Sequence, residues 1–324
     1  MFNWPGGFGA AKQHEEDWAS ERLRLASLLV IMAALIVAIV TAPLEAVRWS
    51  SRGATSAALS LAILLAASLR LRSFGRPTKL ATFSEILALV LLGGLANAAV
   101  AMIALRSGAP MADPLLKWAD SLAGLSAQAL VAWMAKLGTS LEPLHFVYES
   151  SFPQLAATVL LLPLLGRRVE VWRLCFLFLA SLLTCALISF ALPAYGSFVD
   201  ALPSTLRALP PGAGTYAFEP VAQFRAAPVA QLGLNEVTGV ITFPSFHTIM
   251  ALITIQAWSW HRALRIPILT WNLAVIFTTL PIGGHYFVDL AAGGLVWLGW
   301  NRIAAWLTTR QDANFISRPL PTAA

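Results

Sequence analysis

Gly283-Gly284-His285-Tyr286-Phe287-Val288-Asp289 stands at the head of the last long apolar run of the chain, 285–308. A glycine pair breaks the chain there, and the run that follows can cross about 30 Å of hydrocarbon as a helix. On that helix His285 and Asp289 share a face, one turn apart, so the carboxylate can orient the imidazole. Ionisable side chains at a membrane segment are costly and point to function. A second histidine has a similar setting in Phe243-Pro244-Ser245-Phe246-His247-Thr248. The reading that organises everything else is that these two stretches form one site, held by a helix bundle.

Composition agrees. The chain has 324 residues, 58% hydrophobic and 12% charged, with a mean hydropathy of +0.71. Soluble domains carry about 25% charge, so the chain belongs to the membrane class. A net charge of +6 might suggest nucleic acid as a partner. The basic residues instead fall in short clusters between apolar runs, as loops on one side of a bilayer do, and nucleic acid is excluded. Cys175 and Cys185 lie ten residues apart in one run, too far along a helix to bridge each other.

The expected fold is an all-α polytopic transmembrane bundle of about eight spans, near 24–46, 54–72, 82–105, 145–166, 171–193, 244–261, 266–282 and 285–308. A polar N-terminal segment, 1–23, precedes them. Spans within 24–108 read as accessory, 109–310 as the catalytic domain and 311–324 as a tail. Between 111 and 137 the acids and lysines Asp113, Lys117, Asp120 and Lys136 interleave with Leu115, Leu116, Leu122 and Trp133. That pattern predicts an amphipathic helix at the interface. With the N-terminus inside, 15 of the 22 Lys and Arg fall on cytoplasmic segments and 7 on the other side. The bias predicts both termini in the cytoplasm and puts His247 and His285 together on the non-cytoplasmic face. The Pro-rich connection 193–242 would cap them.

A neutral imidazole can attack phosphorus and carry the group covalently. In that reading His285 is the nucleophile, Asp289 holds its other nitrogen, and His247 is the general acid and base. Pro244 and Ser245 read as a helix start, where free N–H groups and the Ser245 hydroxyl favour phosphate. Gly283 and Gly284 would allow close backbone approach. Two histidines and one aspartate would also fit a metal triad, although no further Cys, His or Glu stands near either motif.

At these residues the chain resembles the type 2 phosphatidic acid phosphatase superfamily. Pro244-Ser245-Phe246-His247 is similar to its second motif, and Gly284-His285-Tyr286-Phe287-Val288-Asp289 with Gly293 to its third. The wording is nearest the branch of fungal inositol phosphorylceramide synthases and their bacterial relatives. The resemblance implies the same roles for His285, Asp289 and His247, no metal or other cofactor, and a bacterial inner membrane as the setting. It departs where the family's third motif begins Ser-Arg, because Thr278 and Thr279 stand there. A clean first motif is missing too, Arg76-Pro77 falling on the cytoplasmic side. Arg207 or Arg225 from the cap would have to supply the cation. A site with less positive charge suits a phosphodiester monoanion.

The expected function is transfer of a phosphoryl group or phospho-headgroup from a lipid phosphate or phosphodiester, through phosphohistidine, to an alcohol or water. One alternative is a phosphatase acting on phosphatidate or polyprenyl diphosphate. Another is a transporter or scaffold with a His/Asp relay, which histidine rings about 10 Å or more apart would favour.

Overall fold

The computed structural model describes residues 7–50, 54–73, 79–136, 141–207, 209–232 and 241–309. The tail 311–324, Arg76-Pro77 and part of the cap, 233–240, lie outside them. The described chain is helical apart from one pair of three-residue strands. The helices are α1 (Gly7–Leu44), α2 (Ala54–Arg72), α3 (Lys79–Ala104), α4 (Asp113–Leu122), α5 (Ala127–Lys136), α6 (Glu142–Glu149), α7 (Ser151–Leu164), α8 (Arg168–Ile188), α9 (Pro203–Leu206), α10 (Phe218–Ala226), α11 (Phe246–Ala257), α12 (Arg265–Thr278) and α13 (Phe287–Thr308). The strands β1 (Val47–Trp49) and β2 (Ala230–Leu232) pair in parallel, Val47 opposite Ala230. This small sheet is absent from the all-α expectation.

Three helices are long and apolar enough to cross a membrane: Gln13–Leu44 within α1, α3 and α8. This is an integral membrane protein. α8 is the centre, buried on nearly every side from Val171 to Ala186 and packed against α1, α3, α11 and α13. A helix apolar all round belongs inside a bundle. α1 lays Leu23, Ser27, Ile31, Ala34, Ala38 and Ala42 against it and turns Leu29, Met32, Ile36 and Ile39 outward. Its helix begins at Gly7, so the polar segment is helical from there and runs into the first span without a break.

Other expected spans are cut differently. The one at 145–166 is two helices, α6 and α7, meeting at Ser150, and the one at 244–261 contains only the twelve-residue α11. The single amphipathic helix at 111–137 is two, α4 and α5. Its facing is also the reverse of a protein-facing apolar stripe. On α4 Asp113 and Asp120 are buried, while Leu115, Trp118 and Leu122 are exposed. Residues at i and i+7 share a face, so both acids point inward together.

The cap is stapled to the N-terminal helices. Beyond the strand pair, Arg106 donates to Glu45 O (2.7 Å), to Ala227 O (2.8 Å) and to Phe224 O, and Arg225 donates to Ala109 O (3.0 Å) and to Leu105 O.

Candidate active site

His285 sits in the turn between α12 and α13. Gly284 adopts φ +69°, and a Cβ on it would meet Gly214 at 2.9 Å and Phe198 at 3.2 Å. Only glycine combines that backbone with that contact. The turn is tied on every side. His285 N donates to Thr279 O (3.1 Å), and Gly284 O accepts from Ser197 N (2.7 Å). Thr279 therefore serves as backbone support. Its hydroxyl and that of Thr278 are spent on Ile276 O and Val275 O.

Asp289 lies in the first turn of α13, where the dipole favours a carboxylate. Its Oδ2 accepts from Tyr286 N (2.9 Å) and stands 3.1 Å from His285 Nδ1. An ionised carboxylate can only accept, so Nδ1 carries the proton and Nε2 presents its lone pair elsewhere. That elsewhere is a cavity of about 470 Å³ whose lining includes both His285 and His247. The two ring centroids are 6.4 Å apart, well inside the separation that a relay or scaffold would suggest. One tetrahedral phosphorus group can touch both at about 3 Å.

His247 stands at the start of α11. Tyr148, from α6, lies on its ring at 4.3 Å with its hydroxyl 3.2 Å from Nδ1, and Phe152 meets it edge-on. The Nδ1 side is thereby occupied. α11 and α13 are locked at this end because Ser245 N donates to Asp289 O (3.0 Å). A Cβ at Gly293 would sit 2.5 Å from Ser245 O, so no other residue allows this approach.

The remaining sequence-derived candidates fall elsewhere. Ser245 is fully buried as the N-cap of α11, its Oγ accepting from Thr248 N (3.4 Å) and Thr248 Oγ1 (3.1 Å). Gly283 lines the cavity, whereas Gly284 packs against the cap. Arg225 is bound to the carbonyls of Leu105 and Ala109, just beyond α3, Arg207 is exposed, and neither lines the cavity. Among its described lining residues the one charged side chain is Glu149. Among the described residues no three His, Cys, Asp or Glu form a group that could hold a metal ion.

Two residues that the sequence reading assigned to an interfacial face turn out to build the site. Asp120 caps the N-terminus of α13, its two oxygens accepting from Phe287 N and Val288 N, both at 2.8 Å. Asp113 accepts from Tyr195 N (3.0 Å) and Gly196 N (2.8 Å) and lies 3.3 Å from the Tyr286 hydroxyl. Together they bracket the His285 turn between α4 and the cap. Their seven-residue spacing was the available signal. Lys117, on the same helix, pairs with Asp200 of the cap and leaves them free for backbone donors.

Comparison with known proteins adds one positive result. No curated protein and no solved structure is matched by the chain. Residues 114–302 match the family model of the PAP2 superfamily, and these take in His247, His285, Asp120, Asp289 and Tyr148. Over more than half its length, and with an oriented histidine facing a second across one cavity, the chain belongs to the PAP2 superfamily of phosphatases and phosphotransferases.

Proposed function

We propose that the protein moves a phospho-headgroup from a lipid phosphodiester to an alcohol or water through a covalent intermediate on His285. The observation that carries this is the pairing of a buried, Asp289-held His285 with a second histidine 6.4 Å away on the same cavity. His285 Nε2 attacks phosphorus, and the bond from phosphorus to the leaving alkoxide breaks. His247 donates a proton to that alkoxide. It then takes the proton of the incoming hydroxyl, whose oxygen displaces His285 and restores the free imidazole. Asp289 stabilises the imidazolium character that His285 acquires at phosphorus.

A phosphodiester is favoured over a phosphomonoester by charge. A dianion needs cationic partners, and the described lining offers none. The motif wording supports the same choice, headgroup transfer of the kind made by inositol phosphorylceramide synthases. The 15-to-7 distribution of Lys and Arg supports a site on the non-cytoplasmic face with both termini inside.

The test uses purified protein and phospholipid labelled with 32P in the phosphodiester. Acid-labile, alkali-stable label should appear on the wild type and be absent from His285→Ala. In His247→Ala, which lacks the acid of the first step and the base of the second, the label should both form and turn over slowly. Full turnover by His285→Ala would sink the mechanism. Release of inorganic phosphate, with no new phospholipid or phosphoalcohol formed, would favour the lipid phosphatase reading instead.

A further inference from the structure

The cavity has a polar and an apolar lining. Its polar residues are Tyr148, Glu149, Tyr216, Thr242, His247 and His285, and His285, 3% exposed, presents an Nε2 with no protein hydrogen bond among the described residues. Its apolar residues include Gly94, Ala98 and Ala101 of α3, Phe178 and Leu182 of α8, and Phe246 of α11. None of these side chains can hydrogen-bond, so water held against them alone would lack the two to four polar partners it needs.

The α3 residues recur at i, i+4 and i+7 and so make one continuous face about 10 Å long. A Cβ built on Gly94 meets nothing within 4 Å, so the space beyond it belongs to the cavity. Phe152 also lines the cavity and is 52% exposed, which means the cavity reaches the outer surface of the bundle. For an integral membrane protein that surface faces lipid. α3 ends at Ala104, before the family match begins at residue 114. This wall lies outside the residues that the family model matches.

We propose that α3 forms the bay for an apolar chain of the phospholipid donor, and that the missing side chain at Gly94 sets how much of that chain the bay accepts. The phosphodiester lies against the two histidines, and the chain runs along α3 and leaves past Phe152 into the bilayer. This rests on the headgroup-transfer reading only for the identity of the donor. The bay itself is read from its walls.

Two measurements on the full-length protein in nanodiscs test it. In the first, a phospholipid with a diazirine in its acyl chain is photolysed and the crosslinked peptides are mapped by mass spectrometry. Adducts within residues 91–101 are expected, and adducts confined to other helices would overturn the proposal. In the second, kcat/KM is compared for dioleoyl and dihexanoyl donors. Gly94→Leu should lower the dioleoyl to dihexanoyl ratio about tenfold and Gly94→Phe further. Both substitutions raise helix propensity and enter open space, so folding is preserved. An unchanged ratio in both variants would refute the role of Gly94. Crosslinking at α3 without any lipid turnover would leave the bay standing and remove the headgroup-transfer reading.

Discussion

The cavity lining from α11 and the turn before α13 and the lining from α3 are the two sides of the site, built on opposite terms. The first brings His247, held by the Tyr148 hydroxyl, and His285, held by Asp289, which itself accepts from Tyr286 N. The second brings Gly94, Ala98 and Ala101, which offer no chemistry at all. The contrast separates reactivity from selectivity. Reactive groups need fixed orientation, so their supports are polar, buried and numerous. A wall for a flexible chain needs only shape, and small residues supply it. Substitutions on the two sides should therefore fail differently, on kcat at one and on substrate preference at the other.

The largest effect belongs to the nucleophile and its partner. His285→Ala should remove turnover altogether. Asp289→Asn keeps the size of the side chain but can favour the wrong imidazole tautomer, and a loss of about 10,000-fold in kcat is expected. Single-turnover rates with labelled phospholipid measure both. An Asp289→Asn enzyme within tenfold of wild type would show that orientation of His285 comes from the turn alone and would erase half of the contrast.

Asp120→Asn is next. Asp120 touches no lining residue of the cavity, yet it accepts both leading N–H groups of α13. An asparagine has one acceptor oxygen there and would turn its NH2 group toward the second donor. The expected loss is about 10- to 100-fold in kcat with KM changed less than about threefold, because binding surfaces are untouched. Asp120→Glu, which keeps both oxygens, should recover part of the rate if the protein tolerates the longer stem. An equal rise in KM and fall in kcat would mean that α4 shapes the cavity rather than positioning His285.

Which of these features could be read from the sequence follows a physical rule. His285, Asp289 and His247 were legible because their spacing and setting are local, although His285 lies just before α13 rather than on it. The bundle was legible because apolar runs report length directly. Asp113 and Asp120 were placed on an amphipathic helix, but the direction in which they point was not legible. Amphipathicity shows that two faces differ, not which one meets protein when lipid is the other solvent. The exposed Leu115, Trp118 and Leu122 are what that ambiguity conceals. Tyr148 was invisible for another reason, since its contact with His247 spans 99 residues of chain. Arg225 of the cap invited a phosphate-binding role, but its guanidinium donates to the carbonyls of Leu105 and Ala109 instead.

The smallest effect tests how the two sides are joined. Arg106, at the end of α3, donates to Glu45 O, Phe224 O and Ala227 O, and so ties the cap to the N-terminal helices alongside the β1–β2 pair. Arg106→Ala leaves three carbonyls without that donor, at a cost of about 1–3 kcal/mol, reduced where water reaches them. A fall of a few degrees in the thermal midpoint in detergent is expected. The cap carries Tyr216 and Thr242 to the cavity rim, so KM should rise about two- to fivefold. The chemical step should fall less, because the stretch of the cap that holds the His285 turn is itself fixed to α4 through Asp113, and Asp120 anchors α13, and Arg106 touches neither acid. If kcat in Arg106→Ala fell as far as in Asp120→Asn, the cap would be part of the reactive side, and the N-terminal helices would hold the nucleophile as well as the chain.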